Sequence, residues 1–238
     1  MFSIFKNCPL CNCYQLFFLY WGEDSFATTK FLIIGAGRRR TMCKKCGSSD
    51  RERLVYLYLR DELKVFGAKK NIKALHFAPE KNLSEKLSKE DTVGYIKGDW
   101  LEGGYDYDKT VKKIDVCNIP YENNVFDLIV CNHVLEHIED DRKAMSELYR
   151  VLKPGGKAIL QVPISNLLDK TLEDFSIIDP QERLKTFGQE DHVRVYGKDY
   201  VERLEEVGFK VQIKNFSNEK KYKRFGLNPD ENLFLGEK

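Results

Sequence analysis

The sequence predicts an α/β fold built on a buried, mostly parallel sheet, preceded by a small cysteine-paired module. Three observations carry this reading. Residues 126–163 change hydrophobic period twice, from strand to helix and back. Strand-length apolar segments recur ahead of them. Two CxxC pairs stand within the first fifty residues.

The stretch FDLIVCNHVLEHIEDDRKAMSELYRVLKPGGKAILQVP, residues 126–163, organises the rest. Asp127 to Cys131 is short and apolar on both faces, as suits a buried parallel strand. From Asp140 the period becomes helical. Ala144, Met145, Leu148, Val151 and Leu152 form one stripe, and Asp140 and Asp141 cap the start and favour the dipole. Lys153-Pro154-Gly155-Gly156 predicts the stop, because Pro cannot continue a helix and Gly tolerates a left-handed turn. Lys157 to Val162 is the next strand, so the unit is βαβ with a right-handed crossover.

Ile72 to Phe77 reads as the first strand of the sheet, Val93 to Lys97 as the second and Lys113 to Cys117 as the third. Leu83 and Leu87 mark a short helix between the first two. The glycine-rich WLEGGYDYDKT is too short for a crossover helix. After Pro163, residues 164–197 make a connection long enough for a lid or substrate segment. Within it, extension of Asp191 to Tyr196 puts His192, Arg194 and Tyr196 on one face. Tyr200, Val201, Leu204 and Val207 then form a helix stripe, Phe209 to Ile213 a strand and Leu233 to Leu235 a last strand. Ser217 to Arg224 is expected as an exposed loop.

The chain has 238 residues, enough for one large domain plus a small module, and 42% hydrophobic with 32% charged residues is a globular composition. A net charge of +2 gives no global field toward nucleic acid or membrane. No apolar run reaches the roughly 18 residues of a membrane span. The first residues lack a secretory apolar region. A cytoplasmic location is expected, and with it reduced rather than disulfide-bonded cysteines.

Cys8-Pro9-Leu10-Cys11 and Cys43-Lys44-Lys45-Cys46 have zinc-knuckle spacing, in which each tight turn aims two thiolates at one tetrahedral ion. YQLFFLYW and KFLIIGAG between them read as strands, giving a zinc ribbon over 1–50. So small a unit lacks a core of its own, and a metal staple answers that need. Four buried free thiols are the alternative. Cys13 extends the run to CxxCxC and leaves ligand exchange or an iron–sulfur site open. Cys117 and Cys131 read as core. Arg38, Arg39 and Arg40, with Lys44 and Lys45, form one short basic cluster, either a solvated face or a contact for RNA phosphates. Residues 51–70 form a connecting helix, with Ser49 and Glu52 at capping-box spacing. Arg51 and Arg53, at its start, reach either the mouth of the site or surface ion partners.

FDLIVCNHVLEHI followed by ELYRVLKPGGKAIL resembles the fourth and fifth strands of class I S-adenosylmethionine (SAM)-dependent methyltransferases, type 11 branch, and weaker similarity extends from about Lys73 to the C-terminus. The resemblance implies a seven-stranded, doubly wound (Rossmann-like) sheet over 71–238, SAM as cofactor and an antiparallel hairpin at the end. The turn Phe77-Ala78-Pro79-Glu80 stands where the family keeps glycines beside SAM, and Glu80 replaces one of them. Its carboxylate would repel SAM's carboxylate, but could attract the ammonium. Asp99, ending the second strand, matches the ribose-binding acid, and Asp115 with Val116 matches the adenine contact. Asn132 and His133 fall beside the methionine part. His133 and His192 are the candidate bases, and Arg194 is expected to orient the acceptor. Three functions follow: a small-molecule or glycan methyltransferase, an RNA methyltransferase with a zinc module, or a non-catalytic SAM-binding protein.

Overall fold

The computed structural model describes residues 5–101 and 108–238; most of the WLEGGYDYDKT segment lies outside them. In chain order the elements are β1 (Lys6–Asn7), β2 (Tyr14–Gln15), β3 (Leu19–Trp21), α1 (Phe26–Lys30), β4 (Arg39–Met42), α2 (Asp50–Asp61), β5 (Ile72–Phe77), α3 (Lys81–Leu87), β6 (Val93–Asp99) and β7 (Val111–Lys113). Then come β8 (Phe126–Cys131), α4 (Asp141–Val151), β9 (Leu152–Ile159), β10 (Leu172–Glu173), α5 (Pro180–Phe187), β11 (Arg194–Val195), α6 (Tyr200–Glu206), β12 (Lys210–Lys214) and β13 (Leu233–Glu237).

Seven strands form one sheet in the order β12-β13-β9-β8-β5-β6-β7. Strands β9 to β7 of that order run parallel, and β13 joins β9 antiparallel with β12 beyond it. The chain leaves β5 toward β6 on one side and returns to β8 on the other. This reversal is the topological switch point, where open α/β sheets bind ligands. Alternation along β8 feeds both faces: Leu128 and Val130 pack with α2, while Ile129 and Cys131 pack with α4. The predicted α4 stripe of Ala144, Met145, Leu148 and Val151 is fully buried, and Asp140 caps the helix by accepting from Lys143 N.

Four local expectations change. The helix α4 ends at Val151, and β9 begins at Leu152 rather than Lys157. Lys153 to Gly156 lies inside a register shift between the pairs Phe126–Leu152 and Leu128–Lys157, so the Pro-Gly-Gly turn becomes a bulge. The third parallel strand is Val111–Lys113, not Lys113–Cys117. KFLIIGAG is not a strand, because Ser25 and Thr28 close a capping box that starts α1, and only Ile34 makes a bridge, to Ile164. In the segment Ser217–Arg224, Tyr222 is buried against Phe216.

The N-terminal module shares its core with the sheet. Cys8, Leu10, Phe18 and Cys43 join one cluster with α2 residues and with Val130. Helix α2 is buried nearly all round, as a helix held between two layers must be. Ser49 caps it through Glu52 N, but the Glu52 carboxylate turns away to Leu83 N and Asn82 Nδ2, where it caps α3. Arg53 is fully buried. It donates to Ser48 O, Phe225 O and Gly226 O, and its guanidinium lies 3.9 Å from the Phe18 ring centre. One side chain thus ties module, helix and C-terminal segment together.

Candidate active site

The site is set by register. Phe77 pairs with Gly98 on one side and with Cys131 on the other. The residues that follow them, Ala78, Asp99 and Asn132, therefore stand in a row at the carboxyl edge of the sheet. Ala78 takes φ +45°, a left-handed backbone that costs a non-glycine residue on the order of 1 kcal/mol. Alanine here adopts the conformation for which glycine is the usual choice.

Glu80 is held on both oxygens. His76 Nε2 lies 2.7 Å from Oε2, and Asn132 Nδ2 donates to Oε1 at 3.0 Å. On its other side, His76 Nδ1 lies 2.8 Å from the Tyr95 hydroxyl. Burial alone would raise the Glu80 carboxyl, but the His76 hydrogen bond, then Asn132, outweigh it and hold it below the usual range. A fixed negative charge therefore sits behind Asn132. Asn132 Oδ1 is buried and has no hydrogen-bond partner among the described residues. Asp99 ends β6, with Lys113 beside it in the sheet. Asp115 lies beyond β7, in a turn where its Oδ1 accepts from Cys117 N at 2.8 Å, and Val116 next to it is buried.

His133 follows Asn132 at φ +54°. Arg51 Nη1 lies 2.9 Å from His133 Nδ1 and 2.8 Å from Gly35 O. A guanidinium can only donate, so Nδ1 accepts and the proton of a neutral His133 sits on Nε2. Burial, then the Arg51 charge, push this imidazole below its ordinary pKa and keep it neutral. His133, expected as a candidate base, is thus placed to donate a hydrogen bond from Nε2. Its Nε2 is buried and has no hydrogen-bond partner among the described residues. Behind Arg51 stand two acids, Glu231 and Asp50; burial, then the Asp50 charge, push Glu231 up to about 7. Arg39 pairs with Asp50 through two nitrogens, which removes it from the surface cluster.

A second group lies beside His133, whose Nδ1 is 3.4 Å from Glu136 Oε1. Glu136 is 1% exposed, with His137 Nε2 at 3.9 Å and His192 Nε2 at 4.0 Å from its Oε1. The two imidazoles meet edge to face, 4.7 Å between centres. Burial pushes His192 down to about 4. Burial would also lower His137, but the hydrogen bond to Asp191, 3.2 Å away, outweighs it and raises this group.

The structure gives Arg194 a different post from the expected one. It is 1% exposed and donates to Glu173 and to the carbonyls of Leu135, Ile138 and Glu139. Tyr196 shares that face and bonds Asp141, and Val193 N donates to Glu136 O. Alternation placed these side chains on one side correctly, but that side faces protein. The segment 191–196 is bonded to the turn after β8, and Arg194 shapes that turn instead of offering its fork to an acceptor.

The four thiols of Cys8, Cys11, Cys43 and Cys46 converge within 4.8 Å of one another. Cys8 and Cys46 sulfurs are 3.7 Å apart, and those of Cys11 and Cys43 are 3.6 Å apart. A zinc–thiolate tetrahedron, with bonds of about 2.3 Å, has edges of about 3.8 Å. All four cysteines are free of disulfides, and Ser48 Oγ lies 3.3 Å from Cys8 and 3.2 Å from Cys46. Buried Arg53 beneath them offsets thiolate charge, so the surroundings fit a cation. Cys13 turns its thiol to Tyr14 O, outside the cluster.

The sheet is parallel over five strands, and polar side chains follow its strands at the switch point, where open α/β sheets bind ligands. Residues 70–160 match the family model described as "Methyltransferase domain" (Methyltransf_11). The chain is similar to the 2-phytyl-1,4-naphtoquinone methyltransferase of Nostoc punctiforme, 29% identical over 41% of this chain and 47% of that one. It is also similar to the ubiquinone/menaquinone biosynthesis C-methyltransferase of Francisella tularensis subsp. novicida, 36% identical over 24% of each. Among solved structures, phosphoethanolamine N-methyltransferase 2 of Haemonchus contortus aligns at TM-score 0.47, with 19% identity over 86% of this chain and 48% of that one. The chain thus spans less than half the length of the relatives it matches. No helix among the described residues is long and apolar enough to cross a membrane.

Sequence reasoning placed Asn132 and His133 at the strand end. It assigned no role to Glu136, Gly35 or Glu231, and left Arg51 open. The tight HVLEHI spacing was the available signal for Glu136. Gly35 and Glu231 come from segments far away in the chain and carry no local signal.

Proposed function

We propose that this chain transfers the methyl group of SAM to an oxygen or nitrogen of a small molecule or glycan. The observation that carries the proposal is Asn132 Oδ1, buried without a hydrogen-bond partner among the described residues, with ionised Glu80 behind it at the switch point. An acceptor backed by negative charge suits an ammonium such as the one on SAM's methionine end. Phe77 and Ala78 bring backbone close beside it. Asp99 accepts from the ribose hydroxyls, and Asp115 with Val116 serves the adenine. SAM supplies a methyl already activated on a sulfonium, so the protein's work is to hold donor and acceptor in line. His133 donates from Nε2 to an oxygen of the bound partner. The four cysteines hold one structural zinc.

Calorimetry with SAM, followed by a search for products heavier by one methyl group, tests the reading. A folded protein that binds no SAM would sink it. Asp99→Ala should weaken SAM binding by about 1–3 kcal/mol, the scale of hydrogen bonds to a charged acceptor. Unchanged affinity in a folded variant would mean that another group holds the ribose.

A second reading keeps RNA as the acceptor. Phe17, Tyr20 and Trp21 are exposed on the module, and Arg40 lies over the first two rings at 5.0 and 4.9 Å. Aromatic faces interleaved with guanidinium suit stacked bases. Co-purification of RNA that is lost on Arg38→Ala/Arg40→Ala substitution favours this second reading.

A further inference from the structure

We propose that Glu136, His137 and His192 form a second metal site, separate from the cysteine cluster, that takes a divalent first-row ion of the zinc type. The inference does not depend on the methyl-transfer reading. Its first ground is the state of Glu136. Neither carboxylate oxygen has a hydrogen-bond partner among the described residues, although the side chain is almost wholly buried. A buried carboxylate without a partner is costly and rare. His133, the nearest imidazole, does not satisfy it. Its Nδ1 lies 3.4 Å from Oε1, but that nitrogen already accepts from Arg51.

The second ground is ligand geometry. One carboxylate oxygen and two imidazole nitrogens converge within 4.8 Å of one another. The Glu136–His137 and Glu136–His192 separations of 3.9 and 4.0 Å exceed by a few tenths of an ångström the edge of about 3.4 Å expected for bonds of about 2.1 Å. A small inward closure of the rings around an ion makes up the difference. Two imidazoles and one carboxylate are a donor set that zinc accepts, and a tetrahedral ion would keep its fourth position for water or a ligand oxygen.

The third ground is the outer partner of each ligand. Asp191 accepts from His137 Nδ1 at 3.2 Å, which leaves the Nε2 lone pair turned to the centre. Metal-bound histidines commonly have such a carboxylate on their other nitrogen. Val193 N donates to Glu136 O, so the segment bearing His192 is fixed against the turn bearing the other two ligands. The arrangement is pre-formed from residues 55 positions apart in the chain.

Cobalt is the probe, because it reports its ligands. The full chain, stripped by a chelator and titrated with Co2+ alone, should bind two equivalents. One should show thiolate-to-metal charge transfer and the other only ligand-field bands. His192→Ala should lose the second equivalent and keep the thiolate signal. Asp191→Asn, at a half-exposed position that spares the fold, should weaken it by about 10–100-fold, the range for losing an outer partner. A wild-type chain that binds a single cobalt with thiolate charge transfer overturns the proposal. So does a thiolate-free equivalent that Asp191→Asn leaves at full affinity.

Discussion

Replacing Cys43 and Cys46 by serine, or removing the cation with a chelator, should unfold residues 5–48 and loosen α2. The expected loss is large. Structural zinc contributes about 10–16 kcal/mol of apparent binding energy in zinc-finger peptides, comparable with the whole stability of a domain. The strands here are two to four residues long, too short to persist as isolated hairpins. Several of the module's large side chains, Phe17, Tyr20 and Trp21 among them, are exposed, and its few buried ones lean on α2. Loss of the thiolates would also leave Arg53 buried with less compensating charge. Metal analysis should show one zinc per chain fewer in the Cys43→Ser/Cys46→Ser variant than in the wild type. Limited proteolysis should then cut the metal-free protein between residues 11 and 43 while the sheet stays protected. Identical cleavage and melting with and without metal would show that four buried thiols suffice.

The sheet was legible because buried parallel strands leave a simple signal, short apolar runs separated by helical stripes. Boundaries were less legible. The bulge at Lys153–Gly156 keeps Pro154 and Gly155 within a strand, although both residue types usually mark an ending. KFLIIGAG looked like a strand by composition, yet a local capping box decided the conformation of the residues just before it. At the site, Ala78, Asp99 and Asn132 could be placed because each follows a strand. The tautomer of His133 carried no local signal, since it depends on Arg51, 82 positions away. For Arg194, periodicity reports which residues share a face and is silent on whether that face meets water or protein.

Arg194→Ala should therefore act on stability before it acts on turnover. Removing one partner of a buried ion pair costs about 3–5 kcal/mol, mostly from the groups left behind. Here those groups are Glu173, Asp141 and the carbonyls of Leu135, Ile138 and Glu139. Two features pull the cost toward the lower end. Arg203 still pairs with both acids, and Glu173 keeps 29% of its side chain in water. About 3 kcal/mol is the expected loss, or roughly 6–12 °C in melting temperature for a chain of this size. Arg194→Lys should recover only part of it, because one ammonium cannot span a carboxylate and three carbonyls. Urea denaturation of the two variants supplies the measurement. SAM affinity should change little at temperatures where the variants are folded, since the groups proposed to hold SAM stand at or beyond the ends of β5, β6, β7 and β8. A variant with wild-type stability and lost turnover would return Arg194 to the acceptor side of the site.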